Sequence, residues 1–166
     1  AAVDLGSNSF RLEIGRFEFG QVQRVEYLKE AVRQGNGLSE DHNLSRDAME
    51  RGWECLARFG ERLAGFPPAQ VRAVATQTLR EARNKDEFLS RGVQMLGYPI
   101  DVVSGTEEAR LIYQGVARLL PQSDERRLVV DIGGRSTELI LGQQFTPHRV
   151  ASFPLGSVSW SQRYFA

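Results

Sequence analysis

The chain has 166 residues, enough for one hydrophobic core or for one lobe and part of a second. Its 41% hydrophobic and 25% charged residues are typical of a globular protein and exclude a disordered or fibrous one. The 21 basic residues balance the 21 acidic ones, so there is no overall positive field to attract a nucleic acid polymer or an anionic membrane.

The single cysteine and the absence of long apolar runs set further limits. Cys55 has no partner for an internal disulfide, which favours a reducing compartment. No apolar run approaches the roughly 20 residues that cross a bilayer, and the chain does not start with a signal segment. We therefore expect a cytoplasmic protein without a membrane partner.

The first elements read as β-structure. Residues 2–5 are apolar apart from Asp4, a tight turn follows at Gly6, and Phe10, Leu12 and Ile14 then alternate with polar residues. This two-residue period predicts a β-hairpin with a half-buried second strand. A third strand is predicted over residues 21–29, with loop structure as far as residue 43.

Helices and strands then alternate. Ser45 can cap a helix whose apolar residues recur every three or four positions and which ends before Gly65. Residues 71–75 predict a strand. A helix is predicted to start at Asn84, with Glu87 completing a capping arrangement, and to end at Gly97. The apolar positions of the first of these helices are Met49, Trp53, Leu56, Phe59 and Leu63.

The last part of the chain suggests a new half of the fold. Residues 100–103 predict a strand, 104–106 a turn and 109–120 a helix, after which 121–127 read as a polar linker. The apolar run 128–132 predicts a strand covered on both faces, and residues 160–166 an unfinished helix.

Two segments 127 positions apart resemble each other. Residues 3–15 align with residues 130–142, and each segment has an Asp at the end of a strand, a Gly-rich turn and then a Ser. Such a turn can offer backbone N–H groups to phosphate oxygens, because glycine lets them approach closely. Asp-x-Gly turns can also simply join strands, but their repetition favours two related hairpins facing a cleft.

Four motifs, in order, resemble those of the exopolyphosphatase and guanosine pentaphosphate phosphohydrolase family. They are residues 4–10, 75–80, 104–112 and 130–139, and the resemblance extends over essentially the whole chain. The resemblance implies an α/β fold of the actin-like ATPase class, with residues 1–125 as the first lobe and 126–166 as the start of the second. Residues 48–53, 111–117 and 163–166 look closer to the guanosine pentaphosphate branch.

The same resemblance implies a set of site residues. Asp131 and Glu138 would bind Mg²⁺, since a hard cation prefers carboxylate oxygens. Phosphate groups would be bound by Asn8, Ser9, Arg80, Gly133, Gly134 and Ser136. Gly6 is expected to shape its turn, and the loop residues His42 and His148 to lie at the surface.

Glu108 is the expected general base, because its family counterpart orients and deprotonates the attacking water. Both Glu107 and Glu108 could instead complement the positive end of the helix that they open. Adjacent helical residues point about 100° apart, and Glu107 fits a capping box with Ser104, which leaves Glu108 for chemistry.

Arg135 departs from the family pattern, which usually has a small residue there. Its cation could contact phosphate or occupy the place of phosphate, so we expect an altered substrate preference.

The implied reaction is Mg²⁺-dependent release of terminal phosphate from polyphosphate or guanosine pentaphosphate. A non-hydrolytic phosphate-binding module and an actin-like kinase are the alternatives. A homodimer of the full-length protein is left open, and the isolated fragment is expected to be weakly active or inactive.

Overall fold

The computed structural model describes residues 1–121 and 123–165. The chain forms two compact units, Ala1–Val102 and Val103–Ala166. The sequence placed the division after residue 125, whereas the structure groups the helix Gly105–Leu119 with the second unit. The reason is packing, because Ala109 and Tyr113 of this helix share a hydrophobic core with Ile140.

The first unit contains a five-stranded sheet. Its strands, in chain order, are β1 (Ala2–Leu5), β2 (Phe10–Glu18), β3 (Gln21–Glu30), β4 (Arg72–Ala75) and β5 (Ile100–Val102). They lie in the order β3-β2-β1-β4-β5. β1 is antiparallel to β2 and parallel to β4, so the predicted first hairpin is confirmed and stands at the centre of the sheet.

Three helices belong to this unit: α1 (Arg46–Leu63), α2 (Gln77–Glu81) and α3 (Lys85–Leu96). The side chain of Ser45 caps α1 by accepting a hydrogen bond from Ala48 N, as predicted. All five apolar positions predicted for α1 are buried, and they pack with Phe10 and Leu12 of the sheet. Trp53 stacks on Phe88 of α3 and donates a 2.9 Å hydrogen bond to its carbonyl oxygen.

The predicted capping arrangement at Asn84 is wrong. The Asn84 side chain accepts from Leu44 N at 2.8 Å and donates to Leu44 O at 2.9 Å, as a neighbouring strand would. Glu87 forms an ion pair with Arg46 instead of reaching back to the start of α3. The amide side chain is used to fix the loop before α1, and the helix still starts at Lys85 and ends at the left-handed Gly97.

Two short helical segments were not predicted from the sequence. Residues 34–37 form a 3-10 turn within the predicted loop, and residues 77–81 form α2. The predicted turn at 104–106 is the beginning of a helix, since Ser104 caps α4 (Gly105–Leu119). Within residues 1–121 and 123–165, no helix is both long and apolar enough to cross a membrane.

Cys55 is a buried residue of α1. Burial of the thiol, followed by the nearby Glu30 carboxylate, raises the pKa of Cys55 to about 12. The thiolate is therefore scarce at neutral pH, and this residue packs as a small apolar side chain.

The second unit contains a three-stranded antiparallel sheet. Its strands are β6 (Arg126–Ile132), β7 (Thr137–Gln143) and β8 (Thr146–Phe153), in that order. α4 packs on one face of this sheet, where Tyr113 donates to Gln144 O at 3.1 Å. The helix α5 (Ser157–Tyr164) follows β8, so it begins earlier than predicted. Gln122 of the predicted linker and Ala166 of the predicted last helix lie outside the described residues.

The prediction that β6 is covered on both faces is wrong for the described chain. Val129 packs toward α4, but Leu128, Val130 and Ile132 are 64%, 50% and 71% exposed. The strand therefore has one covered face and one open face. A nearly continuous run of hydrophobic residues in the sequence does not distinguish this arrangement from two covered faces.

Candidate functional site

The two similar sequence segments form two hairpins with the same register. In the first hairpin Leu5 pairs with Phe10 and Asp4 with Arg11. In the second, Ile132 pairs with Thr137, and Asp131 with Glu138. Every one of these positions is shifted by the same 127 residues, so the internal repeat seen in the sequence is also a repeat of structure.

Both turns begin with a glycine that has no room for a side chain. A Cβ atom at Gly6 would lie 3.0 Å from Ser9 O, and one at Gly133 would lie 2.9 Å from Ser136 O. Any other residue would force the backbone of the turn to open. The expectation that Gly6 shapes its turn is therefore confirmed, and Gly133 does the same in the second turn.

The carbonyl groups of the first turn are held by a neighbouring loop. Gly35 N donates to Ser7 O and Arg33 N donates to Asn8 O, both at 2.8 Å. In a trans peptide the carbonyl and the following N–H point in opposite directions. The N–H groups of Asn8 and Ser9 therefore point away from this loop. Asn8 is exposed, whereas Ser9 is 6% exposed.

The carbonyl groups of the second turn are held by the start of α5. Ser157 N donates to Gly133 O at 2.9 Å, and Val158 N donates to Gly134 O at 2.7 Å. By the same geometry, the N–H groups of Gly134 and Arg135 point away from α5. The expected phosphate ligand Ser136 is 4% exposed.

Gly156 makes this contact between α5 and the second turn possible. A Cβ atom at Gly156 would lie 2.3 Å from Arg135 N and 2.3 Å from Gly134 C. Sequence reasoning missed Gly156 and Ser157 as supports of the turn. The available signal was a glycine directly before a helix, but nothing local indicates that this glycine faces a turn more than 20 residues away.

Asp131 and Glu138 lie opposite each other on β6 and β7. Alternate residues share a face of a sheet, so these carboxylates are on the same face as Val129 and Ile140, which pack toward α4. Asp131 is exposed, but Glu138 is only 1% exposed and its Oε1 accepts a 2.7 Å hydrogen bond from Ser152 Oγ. The two predicted metal ligands are therefore neighbours.

Glu108 lies in the first turn of α4, the helix that covers this face of the sheet. Ser104 Oγ accepts from Glu107 N at 3.2 Å, and Ser104 O accepts from Glu108 N at 2.9 Å. Glu107 is exposed and Glu108 is half-buried. The two acidic residues thus differ in exposure, and the assignment of Glu108 to chemistry stays a prediction.

Arg80 lies on α2, in the first unit. Its Nε and Nη2 both donate to Gln77 Oε1, at 3.0 and 2.6 Å, and its side chain is half-buried. Arg80 also takes part in a further interaction, and its guanidinium is therefore oriented by the protein. A side chain fixed in this way differs from a solvated surface arginine.

The structure gathers the predicted site residues into two groups, one in each unit. Asn8, Ser9 and Arg80 belong to the first unit. The second group is Glu108, Asp131, Gly133, Gly134, Ser136 and Glu138. A shared cleft, and the roles of these residues, stay predictions.

Over the described part of the chain, no group of three or more His, Cys, Asp or Glu side chains is arranged to hold a metal ion. His42 and His148 are exposed, as predicted.

Comparisons with known proteins agree with the family resemblance seen in the sequence. Residues 14–166 match the Ppx/GppA phosphatase family. The PPX-GPPA enzyme of Aquifex aeolicus is 32% identical, with a TM-score of 0.83, and the match covers 99% of this chain and 55% of that one. An exopolyphosphatase from Cytophaga hutchinsonii is 29% identical with a TM-score of 0.91, over 99% of this chain and 53% of that one.

The chain thus spans about half the length of these solved relatives. A more distant structure, a PilM–PilN type IV pilus biogenesis complex, is 14% identical with a TM-score of 0.58, over 98% of this chain and 64% of that one, and shows the fold alone. The fold is of the actin-like ATPase class, as the sequence predicted. From its sequence match and its structural relatives, the chain belongs to the Ppx/GppA phosphatase family.

Proposed function

We propose that this chain supplies phosphate-binding and catalytic groups of a Mg²⁺-dependent hydrolase. The enzyme would release terminal phosphate from inorganic polyphosphate or from guanosine pentaphosphate. The observation that carries the proposal is the pair of hairpins with equal register, in which protein hydrogen bonds hold turn carbonyls at Ser7 and Gly134. Membership of the phosphatase family gives independent support.

Both turns suit a phosphate chain for the same reason. Their carbonyl groups are turned toward protein donors, so the following N–H groups face the other side and can donate to an anion. A single phosphate presents several oxygens and can accept hydrogen bonds from adjacent N–H groups of one turn. Ser9 and Ser136, the residues at equal positions of the two turns, would add hydroxyl donors.

Asp131 and Glu138 fit a Mg²⁺ ion. Mg²⁺ in enzymes commonly takes one or two protein carboxylates and completes its shell with water and substrate phosphate, and these two carboxylates lie on paired positions. Glu138 is buried, and Ser152 donates a neutral hydroxyl hydrogen to it, so a nearby cation would offset its charge. A bound Mg²⁺ supplies neutralisation of the negative charge on the phosphate oxygens.

Glu108 would act as the general base. Its carboxylate would accept a proton from water while the water oxygen forms a bond to the terminal phosphorus. The bridging P–O bond breaks, and its electron pair stays on the shortened chain. The products are orthophosphate and a substrate shorter by one phosphate, and Arg80 would hold phosphate oxygens through its planar donors.

The test compares Glu108→Gln with Glu107→Gln, its exposed neighbour on the same helical turn. We expect Glu108→Gln to lower kcat about 10²- to 10⁴-fold and Glu107→Gln to change it less than about threefold. The measurement is phosphate release by the full-length protein, with Mg²⁺, from long polyphosphate and from guanosine pentaphosphate. Equal rates in the two variants would refute the base assignment.

The parent protein distinguishes the other two functions. Binding of the substrate without phosphate release would favour the non-hydrolytic module, and transfer of phosphate only to an added acceptor would favour the kinase.

A further inference from the structure

A buried pair of hydroxyl groups joins the first turn to α2. Thr78 Oγ1 donates to Ser7 Oγ at 2.8 Å, although the two residues are 71 positions apart. Thr78 is 1% exposed and Ser7 is 6% exposed. This hydrogen bond is therefore shielded from water, and neither hydroxyl can exchange its partner for solvent without a local change of structure.

A second threonine fixes the start of the same helix. Thr76 N and Thr76 Oγ1 both donate to Leu5 O, each at 3.4 Å. Leu5 is the last residue of β1, directly before the turn. α2 has only five residues, too few to be stable by itself, so its position depends on such contacts.

We propose that Thr78 is a positioning residue that fixes the first turn relative to Arg80. Arg80 lies on α2 two residues after Thr78, and the turn carries the N–H groups of Asn8 and Ser9. One buried hydrogen bond thus connects the two kinds of phosphate donor in this unit. This inference rests on the proposed function, since it gives Thr78 the role of positioning groups that would bind phosphate. Thr78 itself would touch no substrate.

The strength of the effect follows from burial. When one partner of a buried hydrogen bond is removed, the remaining polar group is left unsatisfied, and the protein loses the full desolvation free energy of that group. Removing both partners can be nearly neutral for stability. Thr78→Val deletes the donor and keeps the shape of the side chain. The buried Ser7 hydroxyl must then find another partner, and the turn that carries it must shift.

The test uses Thr78→Val, Thr78→Ser and the double variant Ser7→Ala/Thr78→Val in the full-length protein. Three quantities are measured: amide hydrogen exchange at Arg33 and Gly35, whose N–H groups donate to carbonyl groups of the turn, the melting temperature, and kcat and KM for phosphate release from tripolyphosphate with Mg²⁺. Thr78→Ser keeps the donor and is the matched control. The double variant removes the hydrogen bond without leaving an unpaired hydroxyl.

We expect Thr78→Val to speed exchange at Arg33 and Gly35 at least about tenfold and to lower kcat/KM about tenfold to a hundredfold. Thr78→Ser should stay within about threefold of the parent. The double variant should regain melting temperature but keep the low kcat/KM. Recovery of activity in step with melting temperature would show a merely structural role and overturn the proposal, as would unchanged exchange at Arg33 and Gly35.

The two proposals fail in different ways. If the parent protein releases no phosphate, the proposed function fails, while exchange at Arg33 and Gly35 still tests whether Thr78 fixes the turn. If the parent releases phosphate and Thr78→Val equals it in exchange and in kcat/KM, only the positioning role fails.

Discussion

The two hairpins have one register but differ in part of their support. In each unit the segment that follows the third strand donates to turn carbonyls, Arg33 and Gly35 after β3 and Ser157 and Val158 after β8. The first turn has in addition the buried hydroxyl of Thr78, which reaches it from α2. The backbone support is therefore similar in the two units, and the contact of α2 is what distinguishes the first turn.

The cores behind the two hairpins also differ. The first hairpin packs into a large cluster that includes Trp53 and Phe59, whereas the buried cluster of the second unit consists of Ala109, Tyr113, Ala117 and Ile140. The same hairpin position therefore has different surroundings. Phe10 is fully buried, but its counterpart Thr137 is half-buried and donates to Leu155 O at 2.5 Å.

The largest expected difference comes from substituting these counterparts. Phe10→Ala should lower the free energy of unfolding of the first unit by about 3–5 kcal/mol, because it leaves a cavity in the core. Thr137→Ala should lower the free energy of unfolding of the second unit by about 1 kcal/mol, which is the usual contribution of one hydrogen bond. Urea unfolding, followed by hydrogen exchange in each unit, measures both. Equal losses would mean that the two hairpins are supported alike.

A smaller effect is expected at the support of the second turn. Gly156→Ala should destabilise the contact between α5 and this turn by about 1–3 kcal/mol, because the new Cβ atom would meet the backbone of Gly134. Exchange of the amides of Ser157 and Val158 should become faster, while that of the first turn stays unchanged.

The matched control is Gly115→Ala on α4. A Cβ atom there has nothing within 4 Å, so the substitution should stabilise the helix by up to about 1 kcal/mol. Protection of Ser157 and Val158 that survives in Gly156→Ala would contradict the account of how the second turn is held.

Local sequence patterns predicted the parts of the fold that depend on neighbouring residues. The alternation of Phe10, Leu12 and Ile14 predicted the first hairpin, and Ser45 predicted the start of α1. The 127-residue repeat predicted a second hairpin like the first, which the structure contains. These features follow from periodicity and capping, which short stretches of sequence contain.

Contacts between distant residues were beyond such reasoning. Asn84 was expected to cap its own helix, but it pairs with the backbone of Leu44, 40 positions earlier. α2 was not predicted because a helix of five residues depends on its tethers to β1 and to the first turn. Of the site, the residues could be named from the motifs, but the burial of Glu138 and the contact of Thr78 with Ser7 required the structure.

The central claim is that the N–H groups of both turns bind a phosphate chain. The most direct test is an NMR titration of the full-length protein with tripolyphosphate and Mg²⁺, following backbone amide shifts. We expect the largest changes at Asn8 and Ser9 in the first turn and at Gly134 and Arg135 in the second. Saturable binding that leaves the amides of either turn unshifted would contradict the claim.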